Sequence, residues 1–222
     1  MPTAMSESTL EHFRSTAASG EPVPAGVAVS AVSASFALGL LAKVLKITSR
    51  RKDFTGNLPK LETLADSARA ASKRMIQYAE EDMAAFNAYM TSARLPQATD
   101  SERAERKRAL DSAVRKAIEL PLEAARAAAS GIGLCLDATG MVHTFVAADL
   151  GAAASLLAGA LRVFLLCADS NIKQMTSDAA AYRASMAGRT EWEARAFRQT
   201  ESVLKQVASA IDAVALKQGL RS

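Results

Sequence analysis

Two stretches of this chain, residues 31–45 and 145–168, are almost wholly apolar, yet each carries charge within it: Lys43 in the first, Asp149 and Arg162 in the second. A membrane span needs about 20 apolar residues in a row, and neither stretch supplies them uninterrupted. They are expected to be buried central helices of a bundle, with no membrane partner. Two such helices must be surrounded by others, and the rest of the chain suits that role. Only 6 Pro and 11 Gly occur in 222 residues, and Ala is abundant throughout, so helix is favoured nearly everywhere. A hydrophobic content of 50% is enough for a sizeable core in one domain covering residues 1–222. The expected architecture is an all-α bundle of long Ala-rich helices, part of whose apolar surface serves as a subunit interface.

Breaks in the pattern divide the chain. The segment from Ser19 to Gly26, SGEPVPAG, is a loop, and so are Asp53 to Asn57, Leu95 to Asp100 and Asp137 to Gly140. Helices are expected over residues 7–18, 27–48, 59–92, 105–120, 145–173 and 191–216. Thr99 or Asp100 can cap the fourth, with Glu102 in its first turn. Pro121 should kink or restart the fourth of these, which then resumes through Ala128 and Leu136. No repeat and no long linker is present.

Composition narrows the chemistry. The net charge of +4 is spread among interleaved acids and bases, which gives no nucleic-acid footprint and suits an anionic small molecule equally well. Cys135 and Cys167 lie in apolar surroundings and read as reduced thiols of a cytoplasmic protein. The polar, acid-bearing N-terminus does not read as a signal peptide. With only His12 and His143, and no Cys or His pair at ligand spacing, no metal site is expected. No nucleophile elbow, P-loop or dinucleotide fingerprint occurs.

A few polar residues in apolar helices remain. Along residues 75–96, Met75, Ala79, Phe86 and Met90 share one face at about 100° per residue, and Asp82 falls inside it. A carboxylate there must be paired with a neighbouring Arg or Lys, be protonated, or face a polar cleft. Asp149 suits either a helix N-terminal acid or a ligand contact. Cys167, 18 residues further on, lies on the same helical face but about 27 Å away, and reads first as a small buried hydrophobe. Asn171 joins this set, His143 in its loop is an acid–base candidate, and the run Arg50-Arg51-Lys52 is either a solvated helix end or a receiver of carboxylates.

The order of these features resembles the formiminotransferase-cyclodeaminase C-terminal domain and the stand-alone methenyltetrahydrofolate cyclohydrolases. Pro22-Val23-Pro24-Ala25-Gly26 stands for that family's glycine loop, Thr48 for its Thr, and Arg51-Lys52 for its lysine pair. Asp82 with Ala85-Phe86 matches the acidic motif, and Leu95-Pro96 with Thr99 the next one. Arg106, Pro121 and Leu122 fall where the family has similar residues; Ala148-Asp149 takes its Ser-Asp position, and Cys167 and Asn171 its two Asn positions. The departures are the loop reduced to Gly26, Gln97 for Lys, Ala148 for Ser, Cys167 for Asn, and His143 with Phe145 in place of a Gly-Asn stretch.

The resemblance implies an all-α homodimer that takes a tetrahydrofolate derivative as substrate and holds no tight cofactor. The implied reaction is hydrolysis of 5,10-methenyltetrahydrofolate to the 10-formyl compound. Asp82 and Lys52 would be catalytic, with Gly26, Arg51, His143, Asp149, Cys167 and Asn171 binding substrate. Cyclodeamination of formiminotetrahydrofolate, action on another one-carbon or pterin substrate, and a non-catalytic binding role are the alternatives.

Overall fold

Helix ends in this chain are set by caps that the sequence spells out. The Asn57 side chain accepts from the Lys60 amide, one residue after Pro59, and Thr99 and Glu102 exchange hydrogen bonds in a capping box. Thr9 accepts from the His12 amide in the same way. The computed structural model describes residues 7–173 and 189–217, and these are all-helical; residues 1–6 of the polar N-terminal stretch lie outside them. The helices are α1 (Leu10–Ala17), α2 (Gly26–Ser49), α3 (Leu58–Ala93), α4 (Asp100–Ala138), α5 (Ala147–Ile172) and α6 (Arg189–Lys217), with a 3-10 turn over Thr144–Val146.

Helices α2, α3, α4 and α5 pack in a ring, each against the next, and α6 lies on α4 and α5. The two apolar stretches form α2 and α5, which run antiparallel. At one end of their seam Lys43 Nζ lies 3.1 Å from Asp149 Oδ2; at the other Gly26 abuts Cys167 and Val163. The charges that interrupt the apolar stretches are thus accounted for. Lys43 pairs with Asp149, and the Arg162 guanidinium sits over the Phe197 ring of α6 at 4.2 Å. Both helices are long and apolar enough to cross a membrane, yet 67% and 56% of their most apolar windows are buried within the bundle. Burial of Leu38, Leu41, Leu45, Leu150, Leu157, Leu161 and Phe164 supplies most of the cohesion.

The first helix begins at Leu10, after its Thr9 cap, a little later than expected. The fourth begins at Asp100 behind the expected Thr99 cap, with Glu102 in its first turn, and continues to Ala138. It also passes through Pro121 as one helix of 39 residues, without restarting. Proline leaves the carbonyl four residues earlier without its donor; that carbonyl, Ala117, receives the Asn171 amide from α5 at 2.7 Å.

Three helices approach closely at Gly131, where an added Cβ would stand 3.0 Å from Leu38 Cδ2 and 3.1 Å from Leu157 Cδ1. Gly131→Ala should therefore destabilise the fold by about 1–3 kcal/mol despite its gain in helix propensity. Urea unfolding checks this; an unchanged or higher midpoint would contradict the packing.

Candidate active site

Helix α2 begins without a side-chain cap. Its N-cap is Ala25, and the first amides of an α-helix have no intrahelical acceptor. Asp82, about two-thirds of the way along α3, brings its carboxylate to this place, where the Ala28 amide favours its charged form. Asp82 is partly buried and forms no ion pair among the described residues. The neighbouring acid Glu81 instead takes Arg74, at 2.6 Å on the outside of the helix. Of the three states open to a carboxylate on this face, the structure selects the cleft.

That cleft is a cavity of about 260 Å³ at one end of the helical ring. Asp82, Phe86 and Tyr89 line it from α3, and Val23, Ala25, Gly26 and Val27 from the loop and start of α2. Val114 and Ala117 come from α4, and Cys167, Ser170 and Asn171 from the end of α5. No lysine, arginine or histidine is among these residues. Burial pushes the Asp82 carboxyl up from 3.8 to about 6, opposed by the Ala28 amide. Burial, and then the charge of Asp82, raise the Cys167 thiol, so it stands in the cavity as a neutral thiol. Gly26 has a steric reason: a Cβ there would come 3.3 Å from Cys167 Sγ.

The structure brings four of the sequence-derived residues together, Gly26, Asp82, Cys167 and Asn171, and places the other four elsewhere. Asp149 pairs with Lys43, and its position in the first turn of α5 also suits the helix dipole. His143 caps the turn before α5: its Nδ1 accepts from the Phe145 amide, and its own amide donates to buried Thr48. Arg51 is held by Asp53 at 2.7 and 2.8 Å, whereas Lys52 is exposed with no partner among the described residues. All four lie toward the far end of α2, a helix of 24 residues that spans about 36 Å. Within one chain Lys52 and Asp82 do not reach the same atom.

Sequence reasoning missed Tyr89 as a lining residue, although the signal was present. Positions 82, 86 and 89 repeat at the i, i+4, i+7 spacing of one helical face. Val114 and Ala117 carried no chemical signal.

An all-α ring of helices with a carboxylate cleft at one end is the class that fold and site define. The chain belongs to the formiminotransferase-cyclodeaminase family, whose model matches residues 9–192. It is 26% identical over 162 residues to a methenyltetrahydrofolate cyclohydrolase of Methylorubrum extorquens, covering 71% of this chain and 78% of that protein. It is 28% identical over 135 residues to a formimidoyltransferase-cyclodeaminase of Sus scrofa, covering 59% of this chain and only 25% of that longer protein. The fold is shared with the formiminotetrahydrofolate cyclodeaminase structure from Thermotoga maritima, with a TM-score of 0.76, 20% identity, and 95% and 98% of the two chains covered.

Because the folded-state pKa of Asp82 lies above its ordinary value, its effect on stability depends on pH. Below about pH 4 the carboxyl is protonated in both states, and as pH rises through 6 the native state must carry a half-buried charge. Asp82→Asn should match the wild type near pH 4 and exceed it at pH 8, by on the order of 2 kcal/mol or less after solvent screening. Urea unfolding at both pH values tests this, and a variant weaker at pH 8 would mean that the charge is stabilising where it sits.

Proposed function

We propose that the chain hydrolyses 5,10-methenyltetrahydrofolate to 10-formyltetrahydrofolate, as a cytoplasmic homodimer. The observation that carries this reading is the lone carboxylate in a cavity lined by no cationic side chain among the described residues. Such a cavity suits a substrate that brings its own positive charge, and the methenyl bridge between N5 and N10 is a cation. The named activity of the Methylorubrum extorquens relative supports the same choice.

In the proposed reaction a water oxygen bonds to the bridge carbon as Asp82 takes one of its protons, which discharges the cation to a carbinolamine. The bond from that carbon to N5 then breaks, its electron pair remaining on N5. Asp82 returns the proton there, and the hydroxyl gives up its own proton to solvent as it becomes the formyl carbonyl, so one proton is released overall. A base with a pKa near 6 is mostly ionised at neutral pH and still able to give a proton back. Phe86 and Tyr89 offer aromatic surface to the planar rings of the ligand.

Lys52 enters this reading through a second copy of the chain. On α2, Val29, Phe36 and Ile47 are exposed along one stripe with Leu40 between them, and Leu156 and Leu166 are exposed on α5. Near the middle of each helix, Gly39 and Gly159 leave open space. An isologous contact of this face sets the start of α2 against the end of the partner's α2. The partner subunit's Lys52 then lies beside the Asp82 cavity, where the acidic tail of a folate needs a cation that the cavity lacks.

Purified protein should accelerate the loss of methenyltetrahydrofolate absorbance, and Asp82→Asn should slow it by about 10²–10⁴-fold. The wild-type kcat/KM should fall as pH drops through about 6. No acceleration by the wild type would sink the hydrolase reading, and ammonia release from formiminotetrahydrofolate would assign the cyclodeaminase reaction in its place. Co-expression of Asp82→Asn with Lys52→Ala chains, each inactive alone, should restore about a quarter of the wild-type rate through one intact site per hybrid dimer. An inactive mixture of demonstrated hybrid dimers would place Lys52 outside the site.

A further inference from the structure

Pro121 and Asn171 together fix a polar feature of the cavity that neither residue sets alone. The proline in α4 has no N–H, so the Ala117 carbonyl is left without its helical donor. Asn171 Nδ2 takes the place of that donor, at 2.7 Å from Ala117 O. Since a carbonyl only accepts, the amide nitrogen must face it, and this settles which way the side chain is turned. Its oxygen, Oδ1, is held on the other side of the amide and has no protein partner among the described residues. Among those residues no buried side-chain oxygen or nitrogen lacks a partner, so Oδ1 retains accessible surface, on a residue that lines the cavity.

We propose that Asn171 is a specificity-determining residue whose Oδ1, locked in orientation by the carbonyl that Pro121 frees, accepts a hydrogen bond from an N–H of the ligand. A free Asn reads donor or acceptor equally by flipping its amide. Here the flip would bring Oδ1 against the Ala117 oxygen and leave that carbonyl unpaired. The cavity therefore selects a ring or amide N–H at this position and rejects a carbonyl or ring nitrogen lone pair. This contact deepens the function proposed above, on which the choice of a reduced pterin as ligand rests. The locking of Asn171 by Pro121 stands independently of any ligand.

Two measurements test it. In thermal unfolding, Asn171→Leu should lower the Tm of the wild type. It should lower that of Pro121→Ala clearly less, because the alanine in that variant supplies its own N–H to the Ala117 carbonyl. Equal losses in both backgrounds would overturn the locking. In equilibrium dialysis with tetrahydrofolate, Asn171→Leu should weaken binding roughly tenfold, and Pro121→Ala should weaken it less, by releasing the amide to flip. Unchanged binding by Asn171→Leu, or no binding by wild type, would overturn the acceptor role. Wild-type binding lost in Asn171→Leu but unaccompanied by methenyltetrahydrofolate hydrolysis would leave this contact standing and refute only the hydrolase reading.

Discussion

The antiparallel seam between α2 and α5 is the constraint on which the rest of this structure depends. Its apolar residues have few ways to leave water together, and they bury most of their length against each other and against α3 and α4. The exposed Lys43–Asp149 pair adds little energy, yet it holds the direction and register of the seam at one end. At the other end, the lack of a side chain on Gly26 lets α2 approach Cys167 closely. Fixing these two ends sets the start of α2, an uncapped helix end, beside the end of α5. The cavity forms there.

Asp82 is placed by α3 into a balance of opposed effects. Removal from water disfavours its charge, while the Ala28 amide and the helix N-terminus favour it. Removal from water prevails, and with no cation lining the cavity the carboxyl is pushed up to about 6. That is a property of a group able to pass a proton in both directions, and a lysine or arginine in the same cavity would abolish it.

Much of the fold could be read from the chain because helices dominate it, and their periodicity and caps are local signals. The stretches 31–45 and 145–168 announced α2 and α5, and the Asp82 face was legible from spacing alone. What stayed hidden was long-range. A sequence shows Pro121 as a missing donor, but does not show that Asn171, on another helix, supplies a replacement. Likewise Arg51 and His143 looked available for ligands because Asp53, Thr48 and Phe145 reveal their hydrogen bonds only in three dimensions. Resemblance gathered Lys52, Asp149 and Asp82 into one implied site. Geometry separates them along the length of α2 within one chain, since order along a sequence does not show which helix ends come together in space.

The central claim is that a single carboxylate faces this cavity uncompensated, and its titration is the most direct test. Carbon-13 NMR of side-chain carboxyls, with the Asp82 resonance assigned by its absence in Asp82→Asn, would follow it across the range from acid to mildly alkaline pH. A midpoint near 6 is the result this account predicts. A midpoint at or below the ordinary 3.8 would show that Asp82 is fully solvated or neutralised by an opposite charge, and would contradict the account.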